Sequence, residues 1–352
     1  MVAFPLSLRE RGRNALLLFL PKGPGRSPVN RYASNSSEPP PRRYAPGASR
    51  HPSRSEGGFY RGRFAPSPTG DLHFGSLVAA LASWLRARNQ RGQWLLRVDD
   101  IDPPREIAGS TQAILSALAQ LGLTADAPAL HQSKRAEAYA QALRQLQRDC
   151  HAFPCWCSRA DLEAAGAVHR DGHCTSTRRD DREPSWRLRV PDLEIVFDDG
   201  LQGPQHQNVR EAVGDFVLRR ADGLWSYQLA CVVDDAFQGI TEVVRGCDLL
   251  DSTPRQILLQ RLLGVSTPAY LHLPLAVDAQ GRKFSKSSDA PAVDAADPRI
   301  ALARALRFLG QPVPDAHDVA TILLAAAHNF DLSPLRGLVA RTATSATRTD
   351  NE

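Results

Sequence analysis

The chain has 352 residues, long enough for a catalytic domain with a substantial core plus a smaller unit or unfolded sequence, and too long for a disulfide-stapled miniature fold. Lys and Arg total 43 against 38 acids, a formal net charge of +5 that mildly favours a polyanionic partner such as nucleic acid, although much of the excess sits near the N-terminus. No apolar run approaches the roughly 18 residues of a membrane span; the longest early one, Ala15 to Leu20, meets Pro21 and Lys22, so no membrane partner is expected.

In chain order, residues 1–57 are rich in Arg, Ser and Pro and poor in apolar side chains, which predicts a disordered extension. Its acid-poor character fits an organellar transit peptide, and a non-functional leader from an upstream start codon fits as well. From Tyr60 the pattern changes. "YRGRFA" predicts a short strand, and "FGSLVAALASWLRARN" predicts a helix, with Leu77, Leu81, Trp84 and Leu85 at helical spacing and basic residues in its last turn. "QWLLRVDDID" predicts a buried strand ending in acids, and "STQAILSALAQLGL" a second amphipathic helix. This alternation predicts a parallel sheet with right-handed crossovers. Ligands of such sheets bind beyond the carboxyl ends of the strands, where the Pro-Ser-Pro turn and Asp99, Asp100 and Asp102 fall.

Residues 150–210 read as an insertion with a cysteine cluster and one strand-like stretch, "SWRLRVPDLEIVF". "WSYQLACVVDDAFQGITEVVRGCDLL" resumes the buried pattern, and "STPRQILLQRLLG" predicts a helix with a Ser/Thr cap, a Pro in its first turn and a terminal Gly. "YLHLPLAVDAQGRKFSKSS" predicts a strand and a polar loop, and "DPRIALARALRFLG" with a further helical stretch leads to a polar tail from about Thr342. There is no internal repeat. Of the six cysteines (Cys150, Cys155, Cys157, Cys174, Cys231 and Cys247), four fall in one window, unlike a secreted disulfide framework, so a reducing, cytoplasmic setting is expected.

Two short motifs carry chemistry. In "RFAPSPTGDLHFGS", Pro66 and Pro68 stiffen the approach to a helix start, Gly70 permits a turn, and His73 with Gly75 lets an imidazole and bare backbone approach a nucleotide. Taken alone it also reads as a strand-to-helix turn with an incidental His. In "KFSKS", Lys283 and Lys286 are two of only four lysines in an arginine-rich chain, which points to a need for ammonium point charges on a phosphate; a solvated basic loop is the plainer reading.

Together, "HFGS" and "KFSKS" resemble the two signature sequences of class I aminoacyl-tRNA synthetases. "RFAPSPTGDLHFG", "LLRVDDID", "VVDDAFQGITEVVRG", "STPRQILL" and "HLPLAVDAQGRKFSKS" are similar, in the same order, to the catalytic core of glutamyl-tRNA synthetases, over about Tyr60 to Pro291. Only about 65 residues follow Ser287, too few for the anticodon-gripping region of the ordinary enzymes. "HFGSLVAAL" and "DIDPPRE", with Val78 where those enzymes usually have Arg, resemble the shortened branch that loads glutamate onto the queuosine at the wobble position of tRNA(Asp). The resemblance implies an α/β fold: a class I aminoacyl-tRNA synthetase Rossmann-like parallel sheet with an inserted zinc-bearing subdomain and a short helical C-terminal region. The expected divisions are 1–57 disordered, 58–149 and 211–291 as halves of the catalytic domain, 150–210 as the insert, 292–341 helical and 342–352 a disordered tail.

The resemblance also implies residue roles. Arg63, Phe64, Ala65, Pro66 and Ser67, with Tyr227 and Arg245, would bind L-glutamate, the Arg245 fork holding a carboxylate. Asp99, where the family usually has Glu, would hold the substrate ammonium directly or through water, or is one of several strand-end acids. A structural ion pair of Arg245 with Asp248 or Asp251 is the competing possibility for that residue. His73, Gly75, Ser76, Lys283 and Lys286 would bind ATP, with His73 and Lys286 catalytic; Ser76 replaces the family's second histidine, and Mg²⁺ would share the phosphate charge.

The stretch from Cys155 to Cys174 suits tetrahedral Zn²⁺. The shortened branch often has Cys, Cys, Tyr and Cys here. This chain has no Tyr there and one extra residue, which leaves His169 or the Arg170 position, so Cys155, Cys157, His169 and Cys174 are the expected ligands, with His173 in reserve. Reduced cysteines without metal remain the alternative. The expected partners are L-glutamate, ATP and queuosine-bearing tRNA(Asp), and the expected state is a monomer. The competing functions are glutamyl charging of tRNA 3′ ends, a small-molecule nucleotidyltransferase, and a catalytically dead RNA-binding module.

Overall fold

A computed structural model describes residues 59–164, 166, 168–278, 280–281 and 297–343. Expectations for residues 1–57, for "KFSKS" and for the tail past 343 lie outside these residues. The elements run β1 Arg61–Phe64, α1 Phe74–Asn89, β2 Gln93–Val98, α2 Ser110–Gln120, β3 Leu130–His131, α3 Ala136–Arg148, β4 Ala152–Cys155 and α4 Arg159–Ala164. They continue β5 Ser185–Leu188, β6 Glu194–Asp199, β7 Gly203–Asn208, α5 Val209–Ala212, β8 Val217–Arg219, α6 Tyr227–Gln238, β9 Glu242–Gly246 and α7 Thr253–Leu263. The last are β10 Ala269–Leu273, β11 Leu275–Val277, α8 Pro298–Phe308, α9 Val319–His328 and β12 Ala340–Thr342.

Strands β1, β2 and β3 pair in parallel, as do β9, β10 and β6, with β7 antiparallel at the edge. The two sheets meet where the Thr241 amide donates to the Arg61 carbonyl at 2.9 Å. Strand order therefore reverses between β1 and β9, and such a switch point opens a crevice beyond the carboxyl ends of the strands. Neighbouring residues of one strand feed opposite cores. Trp94 and Leu96 pack with α1, α2, α8 and α9, whereas Leu95 packs with α3, α6 and α7; Val244 and Leu271 join the first core, Val243 and Tyr270 the second. Burial on both faces explains why these strands read as continuous apolar runs rather than alternating ones.

Residues 150–210 are shared between two sheets. The stretch expected as one strand splits at Pro191 into β5, which sits in an antiparallel sheet β4-β5-β8, and β6, which pairs with β10. Strand β8, beyond residue 210, completes the antiparallel sheet. Helix α7 has Pro254 in its first turn and ends at Gly264 with φ 70°, but Ser252 forms no side-chain cap. The chain enters α7 from a 3-10 turn over Cys247–Ser252, so Ser252 is already helical and lacks the extended backbone a cap requires.

Candidate active site

A cleft of about 460 Å³ lies beyond the ends of β1, β9 and β10. It brings together Arg63, Phe64, Ala65, Pro66, Ser67 and His73 with Gly75, Ser76, Tyr227 and Arg245, residues that span 183 positions of sequence. Asp99 is not among the side chains lining it. The acid is buried and accepts from Arg97 Nε at 2.7 Å, because residues two apart on an extended strand share a face. The bond engages one of its two carboxylate oxygens, Oδ1. Lys283 and Lys286 lie outside the described residues.

The β1–α1 turn is built by its own sequence. Gly70 takes φ 130°, a backbone region that penalises side chains, and is clamped by Ser110 at the start of α2: its amide donates to Ser110 Oγ at 3.0 Å, and that hydroxyl donates to the Gly70 carbonyl at 2.6 Å. His73 then caps α1. Its Nδ1 accepts from the Ser76 amide at 3.2 Å, which puts the proton of the neutral ring on Nε2, 3.0 Å from Ser76 Oγ. A Cβ at Gly75 would meet nothing closer than the His73 ring at 3.4 Å, so packing within the chain does not demand glycine there. The helix start presents a positive dipole end and amides to the cleft.

Two buried arginine sites meet at this cleft. In the first, Arg63 donates to both oxygens of Asp235 at 3.2 and 3.4 Å, and Arg97 bridges Asp235 and Asp99. Burial raises the Asp99 carboxyl above its ordinary range despite Arg97. Burial pushes Asp235 the same way, but the Arg63 and Arg97 guanidinium groups, both bonded to it, outweigh burial and hold Asp235 well below the carboxylate range.

In the second, Arg245, 5% exposed, spends all five N–H donors on neutral acceptors. Nε donates to His272 Nε2 at 3.0 Å; Nη1 to Gln256 Oε1 at 2.8 Å and Tyr227 Oη at 3.4 Å; Nη2 to Thr253 Oγ1 at 2.8 Å and the Leu249 carbonyl at 3.3 Å. It makes no ion pair with Asp248 or Asp251. Behind it, His272 Nδ1 lies 2.6 Å from Asp199 Oδ2. Sequence reading missed both His272 and Asp199; the available signal was a lone His inside the apolar run "YLHLPLAV", which a buried strand must supply with a partner.

Away from the cleft, the sulfurs of Cys155, Cys157 and Cys174 lie within 4.8 Å of one another, Cys157 and Cys174 being 3.8 Å apart. Burial pushes the Cys155 thiol up to about 12, whereas at Cys157 hydrogen bonds from Ser176 and Thr175 outweigh burial and bring it down to about 5. Three convergent thiols, one readily ionised, fit a soft tetrahedral ion such as zinc. His169 does not join the group. Its Nδ1 is 2.9 Å from Asp215 Oδ2, its ring tilts against Phe153, and its buried Nε2 has no partner. The Arg170 guanidinium bonds the Arg210 and Glu211 carbonyls, and the exposed His173 bonds the Asp171 carbonyl.

The family profile described as tRNA synthetases class I (E and Q), catalytic domain, matches residues 60–326, and the chain belongs to that family. ATP is a substrate of this class. Among curated proteins, the chain is 55% identical over 275 residues to the glutamyl-Q tRNA(Asp) synthetase of Xanthomonas axonopodis pv. citri (strain 306), covering 77% of this chain and 91% of that protein. It is 52% identical over 274 residues to the protein of the same name from Burkholderia cenocepacia strain J2315, covering 75% and 92%. The crystal structure of a glutamate tRNA ligase from Elizabethkingia meningosepticum superposes with a TM-score of 0.69 at 23% identity, over 82% of this chain and 67% of that one, a likeness of fold. Among the described residues no helix is long and apolar enough to cross a membrane.

Proposed function

We propose that the chain activates L-glutamate with ATP to glutamyl-adenylate and transfers the glutamyl group to the queuosine at the wobble position of tRNA(Asp). The observation that carries this reading is Arg245: a cation buried beside a cleft, with five neutral partners and, among the described residues, no carboxylate in contact, in the same cleft as the His73-capped helix start. A buried charge without a counter-ion is costly, and an incoming carboxylate offsets that cost. The names of the relatives support glutamate and tRNA(Asp) as substrates.

In this reading Arg63 to Ser67, Tyr227 and Arg245 bind glutamate, and His73, Gly75 and Ser76 receive the ATP phosphates. Lys283 and Lys286 neutralise charge on the α-phosphate. Asp99, whose Oδ1 accepts from Arg97, holds the substrate ammonium directly or through water. A glutamate carboxylate oxygen attacks the α-phosphorus in line, the bond to the bridging oxygen breaks, and pyrophosphate leaves. A queuosine hydroxyl then attacks the activated carbonyl, forming an ester and releasing AMP and a proton. Mg²⁺ supplies charge neutralisation at the phosphates when bound.

Cys155, Cys157 and Cys174 hold a structural zinc in this proposal. His169 offers the fourth donor, since its Nε2 is the unpartnered buried imidazole nitrogen among the described residues; its loop must shift to bring it to the thiols. Asp215 on Nδ1 is the kind of carboxylate partner that orients a ligating imidazole. Stripping the metal with a chelator should lower Tm and release zinc to a colorimetric indicator; a chain containing no zinc as purified from zinc-replete cells overturns this part.

The decisive experiment incubates the protein with labelled glutamate, ATP and tRNA(Asp) with and without queuosine. Label is expected only on the queuosine-bearing tRNA, and it should survive removal of the 3′-terminal adenosine. Label lost with that adenosine makes the enzyme a 3′-end glutamyl-tRNA synthetase, and pyrophosphate exchange indifferent to glutamate makes it another nucleotidyltransferase.

A further inference from the structure

The partners of Arg245 form a chain that reaches well beyond the cleft. Arg245 on β9 and His272 on β10 are register partners on adjacent parallel strands, and His272 is fully buried. An arginine Nε always carries its proton, so the His272 Nε2 that accepts from it at 3.0 Å must be bare. The imidazole proton therefore sits on Nδ1 and is donated to Asp199 Oδ2 at 2.6 Å. The other Asp199 oxygen accepts the amides of Leu201, Gln202 and His272 at 3.0, 2.9 and 3.2 Å. Those amides fix which oxygen faces the ring and hold the acid ionised. Burial and the Arg245 charge favour the neutral imidazole, with Asp199 opposing them, and the net direction is downward.

Each link leaves one arrangement for the next. Thr253 Oγ1 also lies 3.3 Å from Nε2; with the opposite tautomer Nε2–H could turn to that hydroxyl, but it would face the Arg245 Nε–H donor against donor and push the guanidinium off the plane that Gln256 and Thr253 also define. We propose that Asp199 and His272 are positioning residues for substrate recognition, locking the Arg245 fork in the orientation in which it takes up the glutamate carboxylate. This rests on the reading of Arg245 as the carboxylate-binding residue. Of the five bonds, those to Tyr227 Oη and the Leu249 carbonyl are the longest, so these two donors are the ones a carboxylate takes over, while the Nε bond to His272 stays in place.

The test is glutamate-dependent pyrophosphate exchange with the full chain and its tRNA, with melting curves for every variant. His272→Leu removes the ring's contacts with Arg245, Asp199 and Thr253 and should raise the glutamate KM about tenfold or more while the ATP KM stays within about twofold. His272→Gln can place Oε1 where Nε2 was, and should hold the glutamate KM within about threefold of the parent. Asp199→Asn retains an oxygen for the three backbone amides and turns its NH₂ to His272, forcing the proton onto Nε2, as in triads whose Asp is amidated. It should raise the glutamate KM about tenfold in the parent and less than about twofold in the His272→Gln background, which has no tautomer to switch. Equal losses in His272→Leu and His272→Gln, or an Asp199→Asn effect of the same size in both backgrounds, would falsify the positioning role. Should these variants fail to fold, the ¹⁵N shifts of the wild-type ring decide: Nδ1–H is expected, and Nε2–H or a doubly protonated ring overturns the proposal. Arg245→Ala is the parallel arm. An unchanged glutamate KM there removes the reading of the cleft itself, whereas a raised KM with silent Asp199 and His272 variants removes only the relay.

Discussion

The two buried arginine sites at one cleft differ in a single respect, the charge of their partners. Arg63 and Arg97 share Asp99 and Asp235, two cations against two carboxylates, and Cys231 fills the space between with Arg97 Nη2 and Asp235 each 3.5 Å from its sulfur. Arg245 has a similar degree of burial and a full set of hydrogen bonds, but no contacting carboxylate among the described residues; the nearest acid in its chain of partners, Asp199, stands behind a neutral imidazole. A closed cluster has its charge balanced within the fold and holds strands β1 and β2 to helix α6. An open one has its donors satisfied and its charge unbalanced, which is the state of a site built for an anion. Hydrogen-bond satisfaction and charge balance are separate requirements, and this cleft separates them.

Substitutions should therefore divide into losses of stability and losses of substrate affinity. The largest effect is expected from Asp235→Asn, which leaves two buried guanidinium groups facing one carboxylate. Breaking a buried ionic cluster from one side costs about 3–5 kcal/mol, read as a lower urea midpoint with an unchanged m-value. A shift of a few tenths of a kcal/mol would mean that the cluster is solvated and not closed. Next comes Arg245→Ala. It should raise the glutamate KM by about 2 kcal/mol or more, some thirtyfold, because a desolvated carboxylate loses its fork. The urea midpoint should move much less than in Asp235→Asn, since no buried carboxylate loses its counter-ion. Equal losses of stability in the two variants would erase the distinction between the sites.

Acid unfolding sharpens the contrast within the closed cluster. Asp235 has its folded pKa depressed, so it contributes stability that is present above the unfolded value, about 4, and lost as pH falls toward the folded one. Asp99 has its folded pKa raised, so its contribution is present below about 4 and is lost as pH rises through the folded value. Asp235→Asn should flatten the acid limb of a plot of urea midpoint against pH, and Asp99→Asn should flatten a gentler decline on the other side of that pH. Identical profiles for the two variants would show that the acids behave as one shared pair.

Much of the scaffold could be read along the chain because its signals are local. Helix α1 begins and ends where "FGSLVAALASWLRARN" does, and the burial of β2 follows from "QWLLRV". Resemblance pointed to Arg245 and Tyr227, and the fold brings them to the cleft with the stretch from Arg63 to Ser67. What escaped reading is where each charge is balanced. Asp99 could have been paired with Arg97 by strand spacing alone, yet the strand-end acids looked alike. The surroundings of Arg245 come from β6, β10 and α7, with Asp199 lying 46 positions before it in the sequence, and only the completed sheet assembles them. The single strand expected across Pro191 divided for the same reason: its halves pair with different, distant strands.

The smallest change tests the open site most finely. Tyr227 Oη accepts from Arg245 Nη1 at 3.4 Å, the longest of the five bonds, and as an acceptor it keeps its own proton for another partner. Burial pushes its phenol further above the ordinary range, so it remains a neutral donor at any working pH. When a carboxylate arrives, Nη1 can turn to it and the phenol can donate to it as well, so the tyrosine acts on the bound state more than on the empty one. Tyr227→Phe removes that single donor and leaves the packing of α6 unchanged. The glutamate KM should rise about fivefold, the worth of one hydrogen bond near 1 kcal/mol, with kcat and Tm little altered. A lower Tm with an unchanged KM would place Tyr227 with the closed cluster, as a structural partner of Arg245 and not part of the surface that meets substrate.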